Sequence, residues 1–500
     1  MKLPDAFKEK MKKLLGQSEY EELADALLNG QRQHGLRINT LKVSVEEFIK
    51  LSPFRLEPVP WAAGGFYISG EDMPGKHAYY HAGLYYIQEP SAMLPAQALD
   101  ARPGEKVLDL CAAPGGKSVQ IATAMQGKGL LFSNDISAER VKALVKNMEL
   151  CGVRNVVVLN EDPERLASRL EGYFDRVLVD APCSGEGMFR KDETAARSWE
   201  RFGPEHCARL QEQILDCAHR LLKPGGTLVY STCTFSPEEN EMMILNFMKN
   251  HGGYGLADIP KVAGIEGGRP QWAEGKAMYW TESGTEGGCT SPAGKEEIGI
   301  SPAAGGSMAD FAQRMARLWP HRLSGEGHFV AKLVKRGMNR ADVCSCAGEA
   351  HGKAFPHEEA TPYGKLPESF HVFVNENLNG MPDGVYLLKG KNLYHLPEPP
   401  PLLDGLRTAK FGWFLGTFDN GRFEPSHSMA TALGMSFFKR TANFGAGSRE
   451  AISYLKGETL MLEGEKGLTA VCVDGFTLGW AKQTGGMLKN MYPKGWRKLK

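Results

Sequence analysis

The chain has 500 residues, 42% apolar and 24% charged, and its 59 Lys and Arg balance 59 Asp and Glu. At about 100–200 residues per domain this length predicts two to four domains, and the composition excludes extended disorder as the main state. No apolar run approaches the ~18–20 residues that span a bilayer, the neutral total weighs against a nucleic-acid partner, and ten cysteines are too sparse for a disulfide scaffold.

Residues 1–75 read as a small α+β N-terminal domain. Leu3–Leu28 has helical periodicity and Arg37–Ser44 ("RINTLKVS") alternates as a strand does. The Lys-rich amphipathic stretch Met1–Leu15 lacks the apolar centre and cleavage site of a secretory signal, so a cytoplasmic location is expected, with no membrane involvement. Residues 76–336 repeat strand, turn and helix. The strands are Lys106–Leu110, Gly129–Ser133, Val156–Leu159, Arg176–Asp180 and Thr227–Ser231, with Phe329–Val334 last; Ala138–Cys151 and Cys207–Leu222 are among the helices. Such alternation predicts an α/β domain, a parallel sheet covered by helices on both faces. Fourteen glycines between 252 and 306, about a quarter against an average near 7%, mark a long flexible insertion with Tyr279 and Trp280 as its aromatic anchor. Residues 337–362 read as a linker that contains Cys344 and Cys346, and 363–500 as a β-rich C-terminal region of short strands and turns. Charge is uneven within the neutral total: Ser436–Lys500 holds eleven Lys and Arg against five Asp and Glu, and the last twenty residues hold six basic residues and no acidic one, interleaved with Met491, Tyr492 and Trp496. By itself such a tail reads either as an ordinary solvated face or as a surface for phosphate neutralisation with some base stacking.

"VLDLCAAPGGKS" (Val107–Ser118) is an apolar strand running into a turn of small residues and a helix. Gly115 and Gly116 allow a tight turn and close approach of a ligand to backbone amides. The spacing is neither a P-loop nor a complete dinucleotide fingerprint. Asp135, at the end of the second strand, suits a pair of ribose hydroxyls. Asp162 ends the third strand, within reach of an adenine amino group, and Asp180 closes the fourth. The carboxyl ends of strands are where open α/β sheets take ligands; the competing reading is that each Asp caps the next helix. A ribose-binding acid without a phosphate cradle fits S-adenosylmethionine best.

"VLVDAPCSGEGMFRKD" (Val177–Asp192) and "VYSTCTFSPEENE" (Val229–Glu241) each present a cysteine at a strand's carboxyl end, Cys183 and Cys233. Two thiols from adjacent strand ends suit a disulfide or metal pair, or nucleophilic catalysis. Neither loop has a second Cys or a His beside the first, as zinc would need, so no metal is expected. Pyrimidine C5 is a poor nucleophile toward a methyl donor. Thiolate addition at C6 makes an enamine-like intermediate that attacks the methyl group, a carboxyl at N3, here Asp180, stabilises charge on the ring, and a second thiol assists the closing elimination. Cys151, Cys207, Cys217 and Cys472 read as small core residues, and His321 and Arg322 as either RNA contacts or loop braces.

These segments resemble the RNA (cytosine-5) methyltransferases of the NOL1/NOP2/Sun family. The resemblance extends to "RINTLK", to Ala82–Pro95 and to Arg317–Leu333, while Leu478–Arg497 is similar to the PUA-like tail of a bacterial subgroup that methylates small-subunit ribosomal RNA. It implies a Rossmann-like catalytic domain, ribosomal RNA of the small subunit as partner and no obligate protein partner. It implies Cys233 as the nucleophile and Cys183 as the thiol that assists product release. It also implies Cys111, Ala112, Ala113, Pro114, Gly115, Gly116, Lys117, Asp135, Asp162 and Asp180 around S-adenosylmethionine, with Arg140 adding a polar contact. The alternatives are the same reaction on tRNA, and a non-catalytic RNA-binding assembly factor.

Overall fold

The computed structural model describes residues 3–190, 193–272, 312–337 and 355–497. Tyr279, Trp280, Cys344 and Cys346 lie outside the described residues, as do Lys191 and Asp192 of the fourth-strand motif. The chain forms two compact units, each drawn from three stretches of sequence: Met1–Gln33, Glu89–Leu99 and Leu166–Cys346 in the first, and His34–Gln88, Asp100–Arg165 and Ala347–Lys500 in the second.

In the first unit the N-terminal periodicity resolves into two helices, Asp5–Leu15 and Gln17–Leu28, broken at Gly16, whose φ of +79° ends the first. Their apolar faces pack Phe7 and Leu23 against Phe189, Trp199, Phe235 and Trp319. Four strands lie in the order Tyr254–Ala257, His328–Lys335, Leu222–Thr232, Phe174–Asp180. The last two are parallel, with Asp180 opposite Ser231. The helix Glu193–Leu221 lies between them in sequence, kinked at Gly203 before Pro204.

Two expectations change here. The sheet is not all parallel: His328–Lys335 runs antiparallel to Leu222–Thr232 and to Tyr254–Ala257. The strand–helix–strand alternation goes one step further than the sequence pattern predicts, through the helix Glu241–Asn250 to Tyr254–Ala257, and the final strand then returns between them. The start of the glycine-rich stretch is therefore structured. Ile265 and Trp272 are buried, and Glu266 bridges to Arg317.

The second unit opens with a four-stranded antiparallel sheet in the order Glu57–Pro58, Gly65–Ile68, His34–Ile38, Tyr85–Ile87. The strand expected over Arg37–Ser44 ends at Ile38. Asn39 turns the chain, its Oδ1 accepting from Leu41 N and its Nδ2 donating to the carbonyls of Gly83 and Cys151, and Ser44 caps the helix Val45–Leu51. Three parallel strands follow, Lys106–Asp109, Leu130–Asn134 and Val156–Leu159. Their edge is covered by Thr408–Phe411 from the C-terminal stretch, antiparallel to Val156–Leu159, a pairing that the sequence pattern does not announce. The remaining C-terminal residues build a four-stranded antiparallel sheet (Val385–Lys389, Asn392–Leu396, Trp413–Asp419, Arg422–Pro425) and a five-stranded mixed sheet that runs from Thr441–Phe444 to Leu460–Met461. Phe48, Tyr79 and Tyr85 share one apolar core with Tyr454, Val471 and Tyr492. Cys151 and Cys472 are core residues as expected, and so is Cys217 of the first unit, while Cys207 is half-buried.

Candidate functional site

The second unit carries the small-residue turn. The strand Lys106–Asp109 leads through Cys111–Gly115 into the helix Gly116–Ala124. Asp109 is buried beneath this turn and accepts from Ser118 Oγ at 2.6 Å; Ser133 Oγ in turn donates to Ser118 Oγ at 2.9 Å. Gly115 has a φ of +111°, and a Cβ there would lie 2.9 Å from Met148 Cε and 3.0 Å from Leu144 Cδ1. Its backbone conformation therefore favours glycine. Cys111 and Lys117 are half-buried, Ala112 and Ala113 buried, and Pro114 exposed.

Asp135, buried at the end of the strand Leu130–Asn134, accepts from Ala113 N at 3.3 Å and from Ser137 N at 2.9 Å. Arg140 pairs with Asp135 Oδ2 at 3.2 Å and donates to the Ala113 carbonyl. The turn, Asp135 and Arg140 are thus brought together. Asp162 is half-buried; its Oδ1 accepts from Glu164 N at 2.9 Å and caps the helix Pro163–Arg169. Its neighbour Glu161, which no sequence motif singles out, has a fully buried carboxylate.

Arg37 of "RINTLK" also belongs here, although its sequence position gives it no evident site role. Its buried guanidinium donates to the Gly116 carbonyl at 3.0 Å and to Gln88 and Gln120, which pins the start of the turn's helix. A buried arginine must find such acceptors, and this one finds them at the small-residue turn.

The first unit carries the two thiols. Beyond the parallel strands Phe174–Asp180 and Leu222–Thr232, Cys183 Sγ and Cys233 Sγ lie 3.2 Å apart, and Cys233 N donates to Cys183 Sγ at 3.3 Å. Asp180 is half-buried and accepts from Ser231 Oγ at 2.8 Å. Two buried carboxylates hold the loops together. Glu186 accepts from Phe235 N, Ser236 Oγ and Trp199 Nε1 at 2.8, 2.6 and 2.9 Å. Glu239 accepts from Ser184 N at 2.9 Å and Gln211 Nε2 at 2.8 Å, while Ser184 and Thr234 hydroxyls meet at 2.8 Å. Each glutamate comes from one cysteine's loop and receives donors from the other's.

The electrostatics follow from this burial. Burial pushes the Glu239 carboxyl up to about 7, with donors from Ser184 and Gln211 opposing it and Glu186 adding to it. The Cys183 thiol is pushed well above the usual thiol value by its hydrogen bond to Cys233, by burial and by the charge of Glu239. Cys183 is therefore a proton holder at neutral pH. The flanking motif residues are braces: Arg317 pairs with Glu241 at 2.5 Å, Arg190 with Glu326 at 2.8 Å, and Arg322 donates to Glu22 at 2.8 Å while His321 sits 3.5 Å from Glu19. Glu186 and Glu239 lie inside the two cysteine motifs; the signal for each is an acidic residue close behind a motif cysteine.

Comparison with known proteins gives a consistent result along the chain. Residues 96–334 match the family described as 16S rRNA methyltransferase RsmB/F. Residues 3–90 match the N-terminal domain of 16S rRNA methyltransferase RsmF, 372–433 its first C-terminal domain, and 441–498 its PUA domain. A ribosomal RNA small subunit methyltransferase F from Erwinia tasmaniensis is 32% identical, over 98% of this chain and 96% of its own length. Its namesake from Aeromonas hydrophila is 33% identical over 92% and 90%. Among solved structures, a methyltransferase homologue from Pyrococcus horikoshii is 28% identical with a TM-score of 0.51, covering 67% of this chain and all of that one.

Proposed function

Because this chain belongs to the ribosomal RNA small subunit methyltransferase F family, we propose that it methylates C5 of a cytosine in 16S ribosomal RNA, using S-adenosylmethionine, by covalent thiolate addition at C6. The observation that carries this reading is the 3.2 Å approach of two thiols beyond adjacent parallel strands, one of which ends in Asp180. The Gly115–Gly116 turn, with Gly115 at a φ of +111°, and the acids at the ends of the next two strands fit a nucleoside-type cofactor. Residues Cys111–Lys117, Asp135, Asp162 and Asp180 hold it, with Arg140 braced against Asp135. When bound, S-adenosylmethionine supplies an electrophilic methyl group.

The chain's own residues do the rest. Cys233 Sγ adds to C6 of the cytosine. Asp180 shares a proton with N3, which spreads the charge that develops on the ring, and Ser231 holds its carboxyl in place. The addition makes C5 enamine-like and nucleophilic, ready for the methyl group that bound S-adenosylmethionine would supply as its S–CH3 bond breaks to leave S-adenosylhomocysteine. Loss of the C5 proton and of Cys233 then releases the product: Cys183, adjacent to the sulfur that departs, passes its proton to that sulfur and takes up the proton from C5, while the proton on N3 returns through Asp180. Residues 1–75 and 363–500 serve RNA recognition, the latter through its PUA-like tail, and 76–336 catalysis. The reaction belongs to the cytoplasm, on small-subunit RNA without an obligate protein partner. Incubation with labelled cofactor and 16S RNA or 30S particles, with tRNA as comparison, tests the reading. One labelled 5-methylcytosine in 16S RNA is expected; its absence from every RNA offered overturns it.

A further inference from the structure

The Asn160–Glu161–Asp162 segment ends the strand Val156–Leu159 at the cofactor side of the second unit, and what holds it comes from far along the chain. The Glu161 carboxylate accepts from Asp162 N at 3.1 Å, from Arg407 N at 3.0 Å and from Arg407 Nη2 at 3.2 Å, with Arg165 3.7 Å away. The Arg407 carbonyl accepts from Asn160 N at 2.9 Å, so Arg407 grips both sides of the segment before the chain continues as the edge strand Thr408–Phe411. Asn160 Nδ2 donates to the carbonyls of Asp135 and Ile136 at 2.9 and 3.0 Å. Asn134 joins Glu161 to Leu110, through Nδ2 to the Glu161 and Leu110 carbonyls and through Oδ1 from Glu161 N. Two of the acids assigned to the cofactor, Asp135 and Asp162, are therefore tied to one dipeptide, Asn160–Glu161. Burial pushes the Glu161 carboxyl up, and the Arg407 and Asp162 donors outweigh it, so that it stays charged.

We propose that Arg407 is a positioning residue for cofactor binding: it clamps Glu161 so that Asp162 and Asp135 stand where the nucleoside requires them, which makes the C-terminal region part of the cofactor machinery as well as of RNA recognition. This rests on the proposed function, in which those two acids receive S-adenosylmethionine. A buried carboxylate stripped of a charged donor shifts or recruits another partner, and the Asp162 amide bonded to it moves too.

The test is titration of the full-length protein with S-adenosylmethionine, with KM for cofactor and for RNA measured separately. Arg407→Ala is expected to weaken cofactor affinity about five-fold, as removal of one exposed charged donor from a buried carboxylate implies, with KM for RNA unchanged. Arg407→Lys restores part of the affinity, and exposed Arg422→Ala in the same stretch has no effect. Glu161→Gln weakens cofactor binding at least as much, and the Glu161→Gln/Arg407→Ala double variant is no worse than the poorer single one, since the Arg407 side chain acts only through the Glu161 carboxylate. Cofactor affinity within two-fold of the parent in Arg407→Ala, additive effects, or an equal rise in KM for RNA overturns the proposal. If Arg407→Ala does not fold, Arg407→Lys and Arg407→Gln are judged by the same criteria. Failure of the parent itself to bind S-adenosylmethionine instead removes the cofactor reading on which the proposal stands.

Discussion

In the proposed reaction Cys183 and Cys233 share one geometry but not one role: Cys233 attacks, and Cys183, whose buried thiol is pushed up beside it, helps to expel it. Cys233→Ala is expected to abolish turnover, and Cys183→Ala to accumulate a covalent protein–RNA adduct, visible as a band that survives denaturing electrophoresis. An active Cys233→Ala variant together with no adduct from Cys183→Ala would reverse the assignment. Glu239 makes a separate prediction. Its folded-state value near 7 lies above that of an unfolded glutamate, so the folded protein binds the extra proton between about pH 4.5 and 7. Stability from this group is therefore present at the acid end of that window and declines as pH rises through it, by about 2–3 kcal/mol in the limit. Glu239→Gln removes the titration: relative to the parent, its unfolding midpoint should rise between pH 5 and pH 8. A difference that stays constant with pH would show that Glu239 does not titrate there. The thiols and strand-end acids are legible in the sequence because each follows a short apolar strand directly. Glu186 and Glu239 show in the sequence only as acidic residues close behind a motif cysteine; their bridging role does not, because their partners are backbone amides and the side chains of Ser184, Gln211 and Trp199, brought near only by folding.

At the scale of elements, legibility follows chain chemistry. Val156–Leu159 can be read to the residue because four β-branched or aliphatic residues stand together. Tyr254–Ala257 escapes such a reading because flanking glycines hide its pattern, and Arg37–Ser44 looks longer than the strand it contains because polar and apolar residues keep alternating through the Asn39 turn. Thr408–Phe411 carries no signal of its destination, since a strand's sequence does not name a partner some 250 residues away. The two cysteine loops also meet through backbone alone. Gly187 N donates to the Cys233 carbonyl at 2.9 Å, and a Cβ on Gly187 would lie 2.9 Å from the Glu326 carbonyl oxygen and 3.0 Å from that of Cys233. Gly187→Ala must push these loops apart. A loss of about 1–3 kcal/mol in stability is expected, with a larger proportional loss in turnover than in RNA affinity. Calorimetry and single-turnover assays check it, and unchanged turnover would show that the loops have slack.

For the whole molecule, the neutral total is an average over unlike parts. In the C-terminal sheet, exposed Lys482 stands directly opposite exposed Lys489, an arrangement that costs stability unless an anion lies over it. Replacing Lys482, Lys489 and Lys494 with Ala should weaken RNA binding and flatten its dependence on salt, by about 0.7 in logarithmic slope for each phosphate of single-stranded RNA that is no longer neutralised, with turnover at saturating RNA preserved. Filter binding over a series of salt concentrations measures this, and an unchanged slope would move the RNA elsewhere. The edge strand from the C-terminal stretch has a last consequence, one of timing. Until translation has passed residue 411, the strand Val156–Leu159 carries an open row of amides and carbonyls, and such an edge invites pairing with other chains. The half-made protein is therefore at its most aggregation-prone after its parallel strands have formed and before Thr408–Phe411 arrives, so that chains truncated ahead of residue 408 should be the ones that depend most on chaperones.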